Sequence, residues 1–297
     1  MRTNAPVTVV GGINMDIRFA AQSGGYTRGS STPGAARLIP GGVARNIAHN
    51  LAVLSVPVKL LGVVGDDAFG RQIINHTSGA GVDTAGVELI AGETTGIYAA
   101  LLTPTGELDT GASSMGIIER IDDDWIEGVA AIIADSSVIV ADTNLGEDAL
   151  RALIRISASH GVPLVIEPVS VAKASRLVNL TGDVFVATPS AAEAVVMQQS
   201  TTLLVRHLVV TDGARGARWT DSETGASLEI PAAETSIVDV TGAGDAFCAG
   251  VIAGLVWGND MPVALTCAAH VAGSVVAHSG STIPIDCAAG VRRLFRE

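Results

Sequence analysis

The sequence predicts an α/β fold, with a doubly wound, mainly parallel sheet flanked by helices and a small β lid beside it. Three observations carry this. From Asp122 onward, apolar strands alternate with helical stretches, the pattern of parallel strands joined by right-handed crossovers. Apolar residues fill 48% of the 297 positions and aromatics only 3%, beside 34 glycines, which suits small-residue helix packing and tight turns. Several apolar strands also end in polar residues, at the sheet edge where open α/β sheets bind ligands.

The chain bears this out element by element. Val7–Gly11 reads as a first strand, followed by Gly11-Gly12-Ile13-Asn14-Met15-Asp16 at its carboxyl end. Asn14 and Asp16 place an amide and a carboxylate two residues apart, which suits sugar hydroxyls and equally suits the turn chemistry of a loop. Residues 18–40 are rich in Gly, Ser, Thr and Pro and read as an ordered connection within the lid. Gly41-Gly42-Val43-Ala44-Arg45-Asn46-Ile47-Ala48 opens a helix. Val43, Ile47, Leu51 and Leu54 form its apolar face, and Arg45, Asn46, His49 and Asn50 lie off that stripe. The paired glycines let a ligand approach the backbone. Val58–Val64 is the next strand, and Asp66 and Asp67 read as residues of the following helix's first turn. Ile97–Thr103 is β-like and leads into the turn Pro104-Thr105-Gly106. With residues near 14–19 and 107–112 it makes the small sheet, so the lid is expected from about 14–35 and 95–115 of a single 1–297 domain.

In the second half, Asp122–Ala134 is a helix with Asp122 as N-cap. Ser137–Ala141 is a strand ending at Asp142-Thr143-Asn144. Glu147–His160 is a helix closed by Gly161, and Pro163–Ile166 is a strand ending at Glu167. Val184–Ala187 runs into Thr188-Pro189-Ser190-Ala191-Ala192-Glu193. Only eighteen positions separate Glu193 from Thr211, room for one helix before the strand His207–Thr211. The stretch Asp239–Phe247, D-V-T-G-A-G-D-A-F, reads as a strand ending at Val238, a glycine turn and a helix over Ala246–Gly258. Backbone N–H groups of Gly242, Ala243, Gly244 and Asp245 are then open to an anion. Asp245 among them would repel a phosphate but accept a proton from an alcohol attacking one. The same residues also suit an ordinary helix start. A last long helix covers 260–280, with His270 and His278 on its surface.

Charge and motifs exclude several classes. The net charge is −12 and Lys59 and Lys173 are the only lysines, so there is no basic face for nucleic acid. No apolar run reaches membrane-span length, and no basic segment followed by an apolar one opens the chain. A cytoplasmic protein is expected, with Cys248, Cys267 and Cys287 as reduced, buried thiols. There is no Walker A lysine, and Gly11-Gly12 is not the dinucleotide fingerprint, which argues against an NAD enzyme.

Asp239–Phe247 resembles the C-terminal signature of the PfkB (ribokinase-like) family of sugar and nucleoside kinases. Asn14-x-Asp16, Gly41–Ala48 and Thr211-Asp212-Gly213-Ala214-Arg215-Gly216 resemble its other motifs, so the resemblance spans nearly the whole chain. It implies an ATP-dependent phosphotransferase acting on an alcohol, with Asp245 as base and Gly242, Ala243 and Gly244 as anion hole. It implies sugar binding by Asn14, Asp16, Gly41, Gly42, Arg45, Asn46 and Asn144, and nucleotide binding by Thr211, Gly213 and Gly216. Mg²⁺ held through water by Glu193, a monovalent cation (K⁺) at Asp239 and a homodimer through the lid are implied as well. Ser190 stands where the family has Asn, and Glu167 where many members have Asp. Four stretches, Gly41–Ala48, Gly106-Glu107-Leu108, Asp142–Leu145 and Pro168–Lys173, lean toward the members that phosphorylate the 5′-hydroxyl of pseudouridine. Ser114 departs from them, where Asp is expected. Other sugars and nucleosides, or a binding protein without turnover, stay open.

Overall fold

The structure, a computed structural model, describes residues 5–22, 25–27, 29–103, 105 and 108–293. The first seven strands are β1 (Val7–Val10), β2 (Asn14–Ala21), β3 (Gly34–Gly41), β4 (Val58–Gly65), β5 (Asp83–Ile90), β6 (Gly96–Leu102) and β7 (Leu108–Ser114). Six follow: β8 (Val138–Asp142), β9 (Leu164–Glu167), β10 (Gly182–Ala187), β11 (Leu203–Thr211), β12 (Ala217–Asp221) and β13 (Ser227–Ile230). The helices begin with α1 (Val43–Val53), α2 (Ala68–Gly79), α3 (Asp123–Gly128), α4 (Ala130–Ala134) and α5 (Glu147–His160). They continue with α6 (Val171–Ala174), α7 (Ala191–Met197), α8 (Ala243–Val256), α9 (Met261–Val276) and α10 (Ala288–Arg293).

Nine strands form the main sheet in the order β13-β12-β11-β10-β9-β8-β1-β4-β5. Every pair from β5 to β11 is parallel, and β12 and β13 add an antiparallel edge. Strands β1, β8 and β9 are buried at every position, because helices cover both faces of the sheet. Strand β1 lies in mid-sheet between β8 and β4, and the chain builds the sheet outward to β4 and β5 on one side and from β8 to β13 on the other. That switch point opens a crevice. On one face α8 packs against α9 so closely that a Cβ on Gly250 would lie 2.6 Å from the Cα of Ala268. Here the low aromatic content has its structural use.

A second sheet, β3-β2-β6-β7, stands beside the first. Strand β3 pairs antiparallel with β2 from Asn14↔Gly41 to Ala21↔Gly34, so the small sheet draws on residues to 41. That extends the expected boundary at about 35. Ala35 to Leu38 are exposed, and without a buried face this segment lacks the alternation that marks a strand. Of the turn expected at Pro104-Thr105-Gly106 only Thr105 is described, and Gly106 and Glu107 lie outside the described residues.

Other expectations are corrected. The helix expected over Asp122–Ala134 is two short helices, broken at Val129 after the helix-poor Gly128; Asp122 does cap the first, accepting from Trp125 N–H. No strand precedes Asp239. Residues 231–240 are irregular, and the Val238 and Asp239 N–H groups bond to the Val276 carbonyl at the end of α9. Helix α8 starts at Ala243 rather than Ala246, and α9 stops at Val276, before His278. Arg45, Asn46, His49 and Asn50, off the apolar stripe of α1, are all buried. Cys287 is half-exposed, whereas Cys248 and Cys267 are buried; all three are free thiols. A single helix, α7, joins β10 to β11, as the short spacing requires.

Candidate active site

Asp142, at the end of β8, organises the switch point. Its Oδ2 accepts from the N–H groups of Gly12 (2.9 Å) and Ala44 (2.8 Å), and Oδ1 from that of Asn144 (2.9 Å). Complete burial raises its pKa despite these bonds. The carboxylate ties the Gly11-Gly12 turn to the start of α1. Gly42 has φ +100°, and a Cβ there would lie 2.3 Å from the Gly12 carbonyl oxygen. A Cβ on Gly41 would lie 2.6 Å from the Asp16 carboxylate. Gly42 is therefore required by its backbone and by close approach within the protein itself, whereas at Gly41 the Asp16 side chain would have to shift.

Asn14 Nδ2 donates to Asp16 Oδ1 at 2.6 Å, and burial raises the Asp16 pKa against that bond. Asn46 is held at both ends of its amide. Its Nδ2 donates to Asp245 Oδ2 at 2.8 Å, and its Oδ1 accepts from Arg45 Nη1 at 2.7 Å and from Ser281 Oγ at 3.3 Å. Arg45 is 1% exposed, and its five N–H donors meet five acceptors. Nε bonds Thr77 Oγ1 (3.2 Å), Nη1 the Pro40 carbonyl (3.0 Å) and Asn46, and Nη2 the Nδ1 atoms of His49 (3.1 Å) and His76 (3.0 Å). Burial lowers the Arg45 pKa to about 10, with Asp16 and Asp245 opposing. Burial and the Arg45 charge push His49 down to about 3 and lower His76, so both rings are neutral and can accept.

Asp245 lies in the first turn of α8, 8% exposed. Burial raises its pKa to about 7, helped by the charges of Asp142 and Asp16 and opposed by Asn46 and Arg45. Gly242 is left-handed (φ +78°), and a Cβ would meet the Ser281 carbonyl oxygen at 2.2 Å. Nothing lies within 4 Å of a Cβ built on Gly244. The N–H groups of Gly242, Gly244 and Asp245 take no partner among the described residues, but Ala243 N–H turns back to the Val240 carbonyl at 3.3 Å. The expected four open donors are thus three in this structure. A cavity of about 430 Å³ opens at this turn. Thr211, Gly213 and Gly216 line it together with Ala243, Gly244 and the side chain of Val240.

On the other side of the turn, Ser190 and Glu193 form a capping box at the start of α7, with Glu193 Oε2 accepting from Ser190 N–H. Glu193 Oε1 remains as an acceptor. Glu167 is buried, and burial first, then the Asp245 and Glu193 charges, raises its pKa well above the ordinary value. Thr188 Oγ1 donates to it. Val169 next to it has φ +65°, a strained conformation for a β-branched residue that costs about 1–3 kcal/mol. Among the described residues no three His, Cys, Asp or Glu side chains converge as a metal cage. Glu193, with Oε2 in the capping box and Oε1 left as an acceptor, fits a Mg²⁺ ion that would be held through its water shell. Asn144 accepts from Lys173 Nζ, beside Asp142.

Asp239 accepts from Thr241 N–H (Oδ1, 3.0 Å) and, through Oδ2, from Arg18 Nη1 (2.7 Å) and Gly280 N–H (3.4 Å). Arg18, Ser281 and the hub role of Asp142 were not read from the sequence. Arg18 alone left a signal there, as the third polar residue of the alternation Asn14-x-Asp16-x-Arg18.

A doubly wound sheet with a buried carboxylate at a glycine-rich helix start is the arrangement that a phosphotransferase with an alcohol acceptor needs. The family described as pfkB family carbohydrate kinase matches residues 4–287, and the chain belongs to it. It is 31% identical over 282 residues to pseudouridine kinase of Escherichia coli K12, with 89% of this chain and 87% of that protein covered. A carbohydrate kinase from Agrobacterium tumefaciens shares the fold at TM-score 0.83 and 27% identity, covering 98% of this chain and 97% of that one. A putative Ribokinase II from E. coli, solved with ATP and Mg²⁺, superposes at TM-score 0.80 and 20% identity, covering 97% and 99%.

Proposed function

We propose that this kinase transfers the γ-phosphoryl group of ATP to the 5′-hydroxyl of a ribosyl substrate, with pseudouridine as that substrate. Asp245 takes the hydroxyl proton as the oxygen attacks phosphorus. Asn46 holds its carboxylate in place. The open N–H groups of Gly242, Gly244 and Asp245 receive the charge spreading over the phosphoryl oxygens. Asn14 and Asp16 hold the ribose, and Asn144 with Lys173 faces the same crevice. Gly41 and Gly42 bring the chain close enough for this, and Arg45 acts through Asn46 rather than on the substrate. The small sheet serves as a lid that excludes water, which would otherwise turn the kinase into an ATPase. Thr211, Gly213 and Gly216 form one wall of the nucleotide cavity. Glu193 would hold a Mg²⁺ ion through water, and such an ion would supply positive charge to the phosphates of ATP.

One observation carries the reading. Asp245 directly follows Ala243 and Gly244, which line the 430 Å³ cavity, yet it is close enough to Asp16 for that charge to raise its pKa. The base thus sits between a phosphate site and a hydroxyl-binding strand. The specific substrate rests on the 31% match to pseudouridine kinase and on the stretches Gly41–Ala48 and Pro168–Lys173. Initial rates with ATP on pseudouridine, uridine, adenosine, ribose and fructose test it. Pseudouridine presents an N1–H where uridine has carbon, and leaving the acceptor for that group unpaired costs about 1–3 kcal/mol, or roughly tenfold in kcat/KM. Equal rates on uridine would withdraw pseudouridine and leave a broader nucleoside kinase. Ser114, exposed at the end of β7, is the position that would account for such breadth.

A further inference from the structure

Strand β2 carries Asn14, Asp16 and Arg18 at alternate positions, so the three side chains share one face of the small sheet. The first two turn toward each other. Arg18 reaches across to the main domain and bonds Asp239, 221 residues away, at 2.7 Å. The pair is largely enclosed, with side-chain exposures of 19% and 17%. Asp239 in turn holds the Thr241 N–H and approaches that of Gly280, on the two segments that frame the Gly242 turn. Gly242 itself lies against Ser281. One carboxylate therefore sets the shape of the donor turn, and its counter-charge comes from the acceptor-binding strand.

A monovalent cation at Asp239 does not fit this arrangement. Both carboxylate oxygens already accept from donors, one of them a full positive charge, and a second cation beside the guanidinium would be repelled. We propose that Arg18 is a positioning residue that supplies the positive charge at Asp239 in place of a bound cation. The anion-binding turn is thereby shaped without K⁺ and is tied mechanically to the strand that holds the acceptor. This rests on the reading of Gly242–Asp245 as the phosphate cradle.

The test measures binding of a non-hydrolysable ATP analogue with Mg²⁺, in K⁺ and in tetramethylammonium salts of equal ionic strength. Wild type, Arg18→Gln and Arg18→Lys are compared, with melting curves to confirm that each is folded. Wild type and Arg18→Lys should bind equally in both salts, because a single N–H···O contact can be made by either cation. Arg18→Gln should bind about tenfold more weakly in tetramethylammonium, the scale of one charge-assisted bond, and recover in K⁺ as the ion takes the vacated place. Tighter wild-type binding in K⁺ by several-fold would overturn the proposal, as would Arg18→Gln binding like wild type in tetramethylammonium. Absence of analogue binding by the wild type in either salt would overturn both this proposal and the kinase reading, whereas the first two outcomes leave that reading intact.

Discussion

The two halves of the candidate site are built on opposite terms. Around Arg45 and Asp142, each guanidinium donor and both carboxylate oxygens are engaged within the protein, and Asp142 and Arg45 are 1% exposed. Around Gly242–Asp245, backbone donors stand open, Gly244 has no neighbour above its Cα, and Ile237, Val238 and Val240 lie 64%, 63% and 67% exposed. On the proposed reading the closed side receives the acceptor and is preassembled, so little ordering is left to substrate binding. The open side, which would take the nucleotide, keeps its polar and apolar surfaces for a ligand to cover. Asp245 joins the two halves, its orientation set from the closed side and its chemistry directed to the open one.

The sharpest way to break this division is at that joint. Asp245→Asn should leave nucleoside affinity within a few-fold while kcat falls by about 10²–10⁴, the usual contribution of a general base. Stability should move the other way. A carboxyl whose folded pKa is raised holds its proton more tightly folded than unfolded. Its stabilisation is full below an unfolded value near 4 and is lost as pH rises through about 7. The variant should therefore gain in Tm over wild type at pH 8 and not at pH 4. Near-normal turnover would remove Asp245 from its role.

Arg45→Ala attacks the closed side at its centre. It strands buried acceptors on Thr77, His49, Asn46 and Pro40, and denaturant titration should show a loss of about 3–5 kcal/mol. A loss below about 1 kcal/mol would mean that the Arg45 hydrogen bonds contribute no more than an exposed ion pair does.

The pH profile reads both halves at once. With Asp245 titrating near 7 in the free enzyme, log kcat/KM should fall with unit slope below that pH. A profile flat down to pH 5 would show that the base ionises normally and that its buried setting has no kinetic consequence.

Two glycines give the finest comparison. Gly42→Ala should cost at least about 2 kcal/mol, from a left-handed backbone and a clash with the Gly12 carbonyl. Gly244→Ala meets nothing and lies in a helix, so it should hold or raise stability by about 0.5–1 kcal/mol while raising the KM for ATP. Equal melting temperatures for the pair would erase the distinction between a packed and an open glycine.

How much of this the sequence discloses depends on burial. Strands β1, β8, β9 and β10 read as apolar runs because helices cover both their faces. Strands β3, β5, β12 and β13 pass unread, since edge or exposed strands carry no such signature. Ile237 and Val238 mislead for the complementary reason: an apolar run is read as buried strand, whereas here both side chains are exposed and Ile237 borders the cavity. In the site, Asn14, Asp16, Asn46, Asp245 and the glycines are picked out by the family motifs they resemble, since by type and spacing alone they suit turns and helix starts as well. The contacts of Arg45 do not, because His76 and Thr77 come from a separate helix. Nor does the Arg18 bond to Asp239, a pairing that only the closed chain creates.

The saturated guanidinium of Arg45 has a consequence for how this protein can change. Lysine brings three donors from one point and cannot serve five acceptors spread over Pro40, Asn46, His49, His76 and Thr77. An apolar residue leaves them all wanting. Single-step replacements at this position therefore all pass through a destabilised intermediate, and the set can drift only as a group. Combined substitutions of Arg45, His49 and Thr77 should be far less harmful than the sum of their separate effects. The closed side of the site is in this sense an inherited lock, free to vary around its rim and slow to vary at its centre.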